Sequence, residues 1–287
     1  MVAAAVLLTG CFHKMHELRP SEWGDVPVGY VAASFQWDQA DDASEAINGI
    51  TLSFSGSGAS FSKNYNSVEE VSADLVQLPV GDYDILVTAN MTEADGYVLT
   101  GLPATKADLG SIKVSLKNPS SSPAQAWYGV SHVTVTEDDI CVDEIILLRL
   151  LSTLTVNIDN LPSGATVVLT LNNVARNVDL TAKDAAGNYG LPSTELVGDL
   201  TIPNSTVRLL PTASGKERCM LTVDITSPSG VNLSSLCDAP RMEVGKSYTL
   251  NLDYNKLQPY MYLTTYSISN WEVGWTVSGE VLNPTNN

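Results

Sequence analysis

Residues 78–90 read Leu-Pro-Val-Gly-Asp-Tyr-Asp-Ile-Leu-Val-Thr-Ala-Asn, and this stretch decides the fold. A Pro-Val-Gly-Asp turn leads into Tyr83–Asn90, which has the period-two alternation of a half-buried strand. Val244–Leu252 (Val-Gly-Lys-Ser-Tyr-Thr-Leu-Asn-Leu) repeats the device: Val-Gly, a short gap, Tyr, then alternating aliphatics. The glycine admits a positive φ at the turn, and the tyrosine can cover a sandwich edge. The same alternation recurs along the chain. Val31, Ala33, Phe35 and Trp37 fall on one face, and Ile50, Leu52 and Phe54 on another. Further strands are expected over Ser111–Lys117, Trp127–Thr136, Leu154–Asp159, Thr166–Asn172, Cys219–Thr226, Ser247–Tyr254 and Tyr260–Ile268. Turn sequences at 55–58, 94–96, 161–164 and 227–230 separate them. Glu69–Leu78 fits a short helix and a strand equally well. Many short strands at regular spacing predict an all-β chain of β-sandwiches.

The chain has 287 residues, enough for two domains of ordinary size. Lys and Arg number 15 against 32 Asp and Glu, a formal charge of −17, which argues against nucleic acid as a partner. Only 16% of residues are charged and 44% are hydrophobic, so the acidity does not come from a disordered polyelectrolyte. The apolar stretch from Ile140 to Ile158 is interrupted by Asp143, Glu144 and Arg149. Such charges argue against a membrane span and for two strands meeting at an interdomain joint. With the boundary near Leu148, residues 26–148 and 149–287 form the two sandwiches.

Residues 2–8 are apolar and run directly into Leu8-Thr9-Gly10-Cys11. At 1.5 Å per residue the run is about half a bilayer long, so it reads as a signal segment. No Lys or Arg precedes it, which suggests that the true start lies upstream. Leu8–Cys11 resembles a lipoprotein signal, with residues 1–10 removed, Cys11 lipidated, and 11–25 a polar tether. Two or three acyl chains anchor durably where one is marginal. A metal reading of His13 and His16 lacks a third ligand.

Three cysteines remain after Cys11. Cys219 and Cys237 nearly mirror each other about the turn at 227–230, leaving two readings: a cross-strand disulfide, or two buried thiols. Acidic residues cluster at Asp38/Asp41/Asp42/Glu45 and at Glu137/Asp138/Asp139 with Asp143/Glu144. Neither cluster has the pattern of a calcium loop, and solvated loop charge explains both. His132 lies in an alternating strand and is a poor catalytic base. No nucleophile elbow, phosphate loop or dinucleotide fingerprint is present, so neither catalysis nor a cofactor is expected. Tyr254, Tyr260, Tyr262, Tyr266, Trp271 and Trp275 concentrate aromatic residues near the C-terminus. Tyr260, Tyr262, Tyr266 and Ile268 share one strand face, as a core or subunit interface requires. Exposed platforms for a glycan, with Trp271 or Trp275, are the other reading.

Five patches together resemble the two-domain fimbrillin-like lipoproteins of Bacteroidota, specifically the minor or anchor fimbrial subunits. They are Leu8–Cys11, Phe35-Gln36-Trp37, Leu78–Asn90, Leu147–Ile158 and Ile268–Trp271. The resemblance implies two tandem transthyretin-like, Greek-key β-sandwiches. It implies assembly with other fimbrial subunits by strand complementation, a form of β-augmentation. Arg19-Pro20 is a poor site for tryptic-type cleavage, which favours a subunit that stays lipidated. The expectation is a non-enzymatic, outer-membrane lipoprotein on the cell surface, anchoring or joining a pilus and supporting adhesion. Tyr260, Tyr262 and Tyr266 are its candidate partner contacts. A lipid-anchored glycan-binding protein, with a host or glycan ligand, is the alternative.

Overall fold

The computed structural model describes residues 26–37, 47, 49–56, 59–101, 109–183, 185, 193–202, 206–256, 263–269 and 274–277. The first half contains β1 (Val28–Trp37), β2 (Ile50–Gly56), β3 (Ala59–Tyr65), α1 (Val68–Ser72), β4 (Val76–Pro79) and β5 (Gly81–Ala89). After them come β6 (Tyr97–Thr100), β7 (Lys113–Leu116), β8 (Trp127–Val135) and β9 (Ile140–Arg149). The second half contains β10 (Ser152–Asp159), β11 (Thr166–Asp179), β12 (Ser193–Ile202), β13 (Thr206–Leu209) and β14 (Cys219–Thr226). It continues with β15 (Asn232–Ala239), β16 (Ser247–Asp253), β17 (Leu263–Ser269) and β18 (Gly274–Val277).

The chain folds as two transthyretin-like β-sandwiches. In the first, β4-β1-β9 face β3-β2-β5-β8, and β8 meets β9 only at Trp127–Arg149 and Tyr128–Leu148. Their inward rows interleave: Val31 and Ala33 from β1, Ile145 and Leu147 from β9, and Leu52, Phe54, Ile85 and Trp127 from the opposing layer. In the second, β13-β10-β16 face β15-β14-β11 across Leu154, Val156, Leu171, Leu221, Val223, Tyr248 and Leu250. The plan repeats: β1 pairs antiparallel with β4 and parallel with β9, and β10 does the same with β13 and β16.

The two Val-Gly-Tyr segments lie in strands that are not equivalent within this plan. Residues 79–87 lead into β5, between β2 and β8, whereas 244–252 lead into β16, between β10 and β17. Their likeness is a shared local device, a glycine turn before a buried Tyr83 or Tyr248. The ambiguous segment 69–78 is both helix and strand. Ser67 caps α1 by accepting from the Glu70 amide (3.3 Å), and Glu70 accepts from the Asn66 amide (2.7 Å). This reciprocal cap sustains one turn before β4 begins.

The halves are not joined by one connection alone. The β6–β7 hairpin leaves the first half and extends the second sheet, with Lys113–Ser115 pairing Asn177–Asp179 of β11. A register shift in β11 between Leu171 and Val174 releases it from β14 and redirects it toward β7. A third core fills this joint, including Leu86, Tyr97, Ile112, Tyr128, Leu151 and Val178. Gln125 is fully buried there. Its Oε1 accepts from the amides of Leu151 (3.0 Å) and Ala126 (3.2 Å), and its Nε2 donates to the Leu151 carbonyl (3.3 Å).

Candidate assembly surface

A sheet edge exposes a row of backbone donors and acceptors that another strand can complete. Among the described residues, most edges are short or blunted. β4, β6 and β13 have four residues each, β4 ends in Pro79, and the longer β12, which pairs with β11 alone, is broken by a register shift. β3 carries Lys63, which pairs with Asp74 at 2.6 Å. β15 differs. It pairs with β14 from Asn232–Thr226 to Ala239–Cys219 without a register shift, and its other edge has no neighbouring strand among the described residues. It contains no Pro, Gly or Lys, and its one charge, Asp238, is held by Arg218 at 2.7 Å. Its exposed row is Asn232, Ser234 and Leu236. The corresponding strand of the first sandwich, β8, meets β9 at the corner. In the second sandwich β16 is met by β17 instead, which leaves β15 open.

The terminal strands extend the other layer to β13-β10-β16-β17-β18. Tyr266 lies in β17 opposite Leu250 and Val277, and Trp275 lies in β18 opposite Ile268. These register positions share the face that carries Tyr248 and Leu250. Of the strand expected over Tyr260–Ile268, the described part is Leu263–Ser269, with an irregularity against Asn251 and Leu252. Cys11, Tyr260, Tyr262 and Trp271 lie outside the described residues, as does the acidic stretch from Asp38 to Glu45.

Cys219 pairs with Ala239, and Cys237 with Leu221. The cysteines are therefore diagonal rather than opposed, and both thiols are buried and free in this structure. Diagonal side chains stand about 7–8 Å apart, beyond the reach of an unstrained disulfide. Burial raises both thiols above the usual range, Cys237 to about 12. Glu137, Asp138 and Asp139 are exposed at the β8–β9 turn, as loop charge should be. Asp143 is different: it is half-buried, accepts from Ser131 Oγ at 2.8 Å, and has its pKa raised by burial. His132 is exposed and sits 2.9 Å from Asp84, whose other oxygen lies 3.6 Å from Lys183 of the second sandwich. Burial opposes ionisation of Asp74, yet hydrogen bonds from Lys63 and Tyr65 carry its pKa below the usual range. Among the described residues no group of three metal-ligating side chains occurs, and no helix is long and apolar enough to cross a membrane.

The β15 edge was not singled out by sequence reasoning. Its signal was available in principle, as a strand-length, nearly uncharged segment after the Ser-Pro-Ser-Gly turn. Its lack of a neighbour is a property of the tertiary fold.

Comparison with known proteins follows the same architecture. The sequence model of the fimbrillin-A associated anchor proteins Mfa1 and Mfa2 matches residues 24–276. The chain resembles the fimbrial anchor protein Mfa2 from Porphyromonas gingivalis at a TM-score of 0.54 and 14% identity, covering 87% of this chain and 99% of that one. A candidate adhesin from Bacteroides thetaiotaomicron gives 0.57 and 12%, covering 89% and 98%. A candidate polysaccharide-binding protein from the same species gives 0.56 and 13%, covering 87% and 98%. At these identities the likeness concerns the fold. No curated protein sequence matches the chain.

Proposed function

The chain belongs to the family of fimbrillin-A associated anchor proteins, and from that membership we propose that it is a non-catalytic anchor or minor subunit of a pilus. The observation that carries the reading is the family match across residues 24–276, spanning both sandwiches. In this reading residues 1–10 are a signal segment and acyl chains on Cys11 hold the protein in the outer membrane. Residues 11–25 then tether two sandwiches, 26–148 and 149–287, at the cell surface. Contact with other fimbrial subunits is by added strands, and the open β15 edge together with the terminal β16–β18 layer supports it. Adhesion follows from assembly.

The test has two parts. Cells expressing the protein are fed labelled fatty acid, and Cys11→Ala is expected to abolish incorporation; retained label overturns the lipid anchor. Native protein is then isolated in mild detergent, where pilin subunits are expected to accompany it. Material free of any pilin polymer overturns the fimbrial role.

A further inference from the structure

We propose a further, mechanical function: the parallel ladder between β1 and β9 is a clamp that bears tension between the N-terminal side of β1 and the second sandwich. The inference rests on the anchor reading for where load enters in the cell, whereas the resistance itself belongs to the fold.

Tyr30–Trp37 pair with Ile140–Leu147 over eight consecutive positions without a register shift. Trp37 stands opposite Leu147, two residues before Arg149, where the chain leaves β9 for β10. Val28, where β1 begins, is at the other end. The start of β1 and the exit to the second sandwich therefore lie at opposite ends of one ladder, whose eight rungs span about 23 Å at 3.3 Å per residue. Because the strands are parallel, pulling on the start of β1 and the end of β9 slides them past each other along their length. All the rungs are then loaded together. In an antiparallel pair, the start of one strand and the end of the other lie side by side, and the same pull opens the rungs one at a time.

The surroundings of β1 favour this geometry. Its other edge is held by β4 over Val28–Val31, and the Val28 carbonyl and Tyr30 amide bond the β8–β9 turn at Asp138 and Asp139. The inward row Val31, Ala33, Phe35 and Trp37 is packed in the core, with Trp37 edge-on to Trp127 at 6.2 Å. Slip by one residue would turn this row to solvent, so partial sliding offers no intermediate resting place. The second sandwich repeats the arrangement, with Thr153–Asp159 of β10 parallel to Ser247–Asp253 of β16. A load passed through the joint and withdrawn beyond Asp253 meets a second clamp of the same kind.

The test is single-molecule force spectroscopy on the full chain, with one handle at Val26 and the other at either Ser163 or Glu137, all exposed positions. Ser163 follows β10, so this pair shears the ladder. Glu137 precedes β9, so this pair unzips the same ladder from its start. Both labelled proteins are first matched by circular dichroism, so that folding is not the variable. Forced opening is governed by the unfolding rate, and at equal force the shear geometry is expected to open at least about tenfold more slowly. Equal rates, or faster opening in shear, overturn the clamp. Loss of fatty-acid labelling bears on the anchor and leaves this comparison untouched.

Discussion

Gln125 ties the connection between the sandwiches, and its replacement tests whether that tie stabilises the joint. The side chain is fully buried. It satisfies the Leu151 amide, the Leu151 carbonyl and the Ala126 amide at 3.0, 3.3 and 3.2 Å. Gln125→Leu retains much of the volume but leaves these three groups without that partner. A buried group left unsatisfied costs about 1–3 kcal/mol, so after partial relaxation the expected loss is about 3–5 kcal/mol. That is a large share of the roughly 5–15 kcal/mol that stabilises a typical domain. Gln125→Ala should lose less, about 2–3 kcal/mol, because the space it opens has polar partners for a water molecule. Gln125→Glu separates the acceptor from the donor. Its carboxylate still accepts from both amides but sets an oxygen against the Leu151 carbonyl, and its protonated form restores the donor. The native pKa is then raised, so the stability the variant retains is present at low pH and lost as pH rises through that value. Urea unfolding followed by tryptophan fluorescence and circular dichroism measures the series. If Gln125→Leu lies within about 0.5 kcal/mol of the parent, the ordinary range for surface changes, and the Leu151 amide still exchanges slowly, the reasoning fails.

Three further predictions concern packing and titration. A Cβ at Gly29 would lie 2.1 Å from the Thr136 carbonyl oxygen and 2.8 Å from Val135 Cγ1. Gly29→Ala must therefore displace the β8–β9 turn, at a cost of about 2–4 kcal/mol in thermal or urea unfolding; an unchanged midpoint would show that the turn yields freely. Burial raises the pKa of Asp143, and Ser131 offsets this only in part. Its favourable contribution is complete below the unfolded value near 3.9 and disappears as pH rises through the higher native value. Asp143→Asn should thus stabilise the protein by about 1 kcal/mol at pH 7, with the gain fading toward pH 4; a constant or inverted difference refutes the assignment. Cys219 and Cys237 should resist iodoacetamide at pH 8 until the chain is unfolded, since burial keeps both as thiols. Rapid native labelling, or an oxidised product linking 219 to 237, would contradict the diagonal register.

The parts of the fold visible in the sequence are those that depend on local alternation. Cys219–Thr226 and Leu154–Asp159 were readable because each has an apolar row of period two and a turn signal beside it. The partners of β1 were not readable, because no hairpin turn links it to 76–79 or to 140–147. The partners of the cysteines were not readable for a related reason. Pairing is centred on Ser229 and not on the middle of the 227–230 turn, so Cys237 stands two positions from Ala239, the partner of Cys219, on the same face. The irregularity of β17 against Asn251 and Leu252 was likewise invisible, since a bulge has no period-two signature of its own.

The uncharged polar residues carry a subtler ambiguity. In composition they look like turn residues and solvated strand faces, and along β10 and β16 several are, as in the exposed Asn157–Asn251 pair at 2.8 Å. At the joint the same residue types are internal ties. Thr181 accepts from the Ile112 amide at 2.9 Å and donates to the Gly110 carbonyl at 2.6 Å, while Ser111 donates to Asp179 at 2.5 Å. A threonine facing water and one facing a neighbouring backbone have the same local signature. Only the arrival of residues 110–112 beside 179–181 separates them, nearly 70 positions apart in sequence. The joint is therefore specified by hydrogen bonds to backbone as well as by its apolar core. That combination orients the two sandwiches, because the apolar contacts alone are non-directional and each buried bond has one satisfactory geometry.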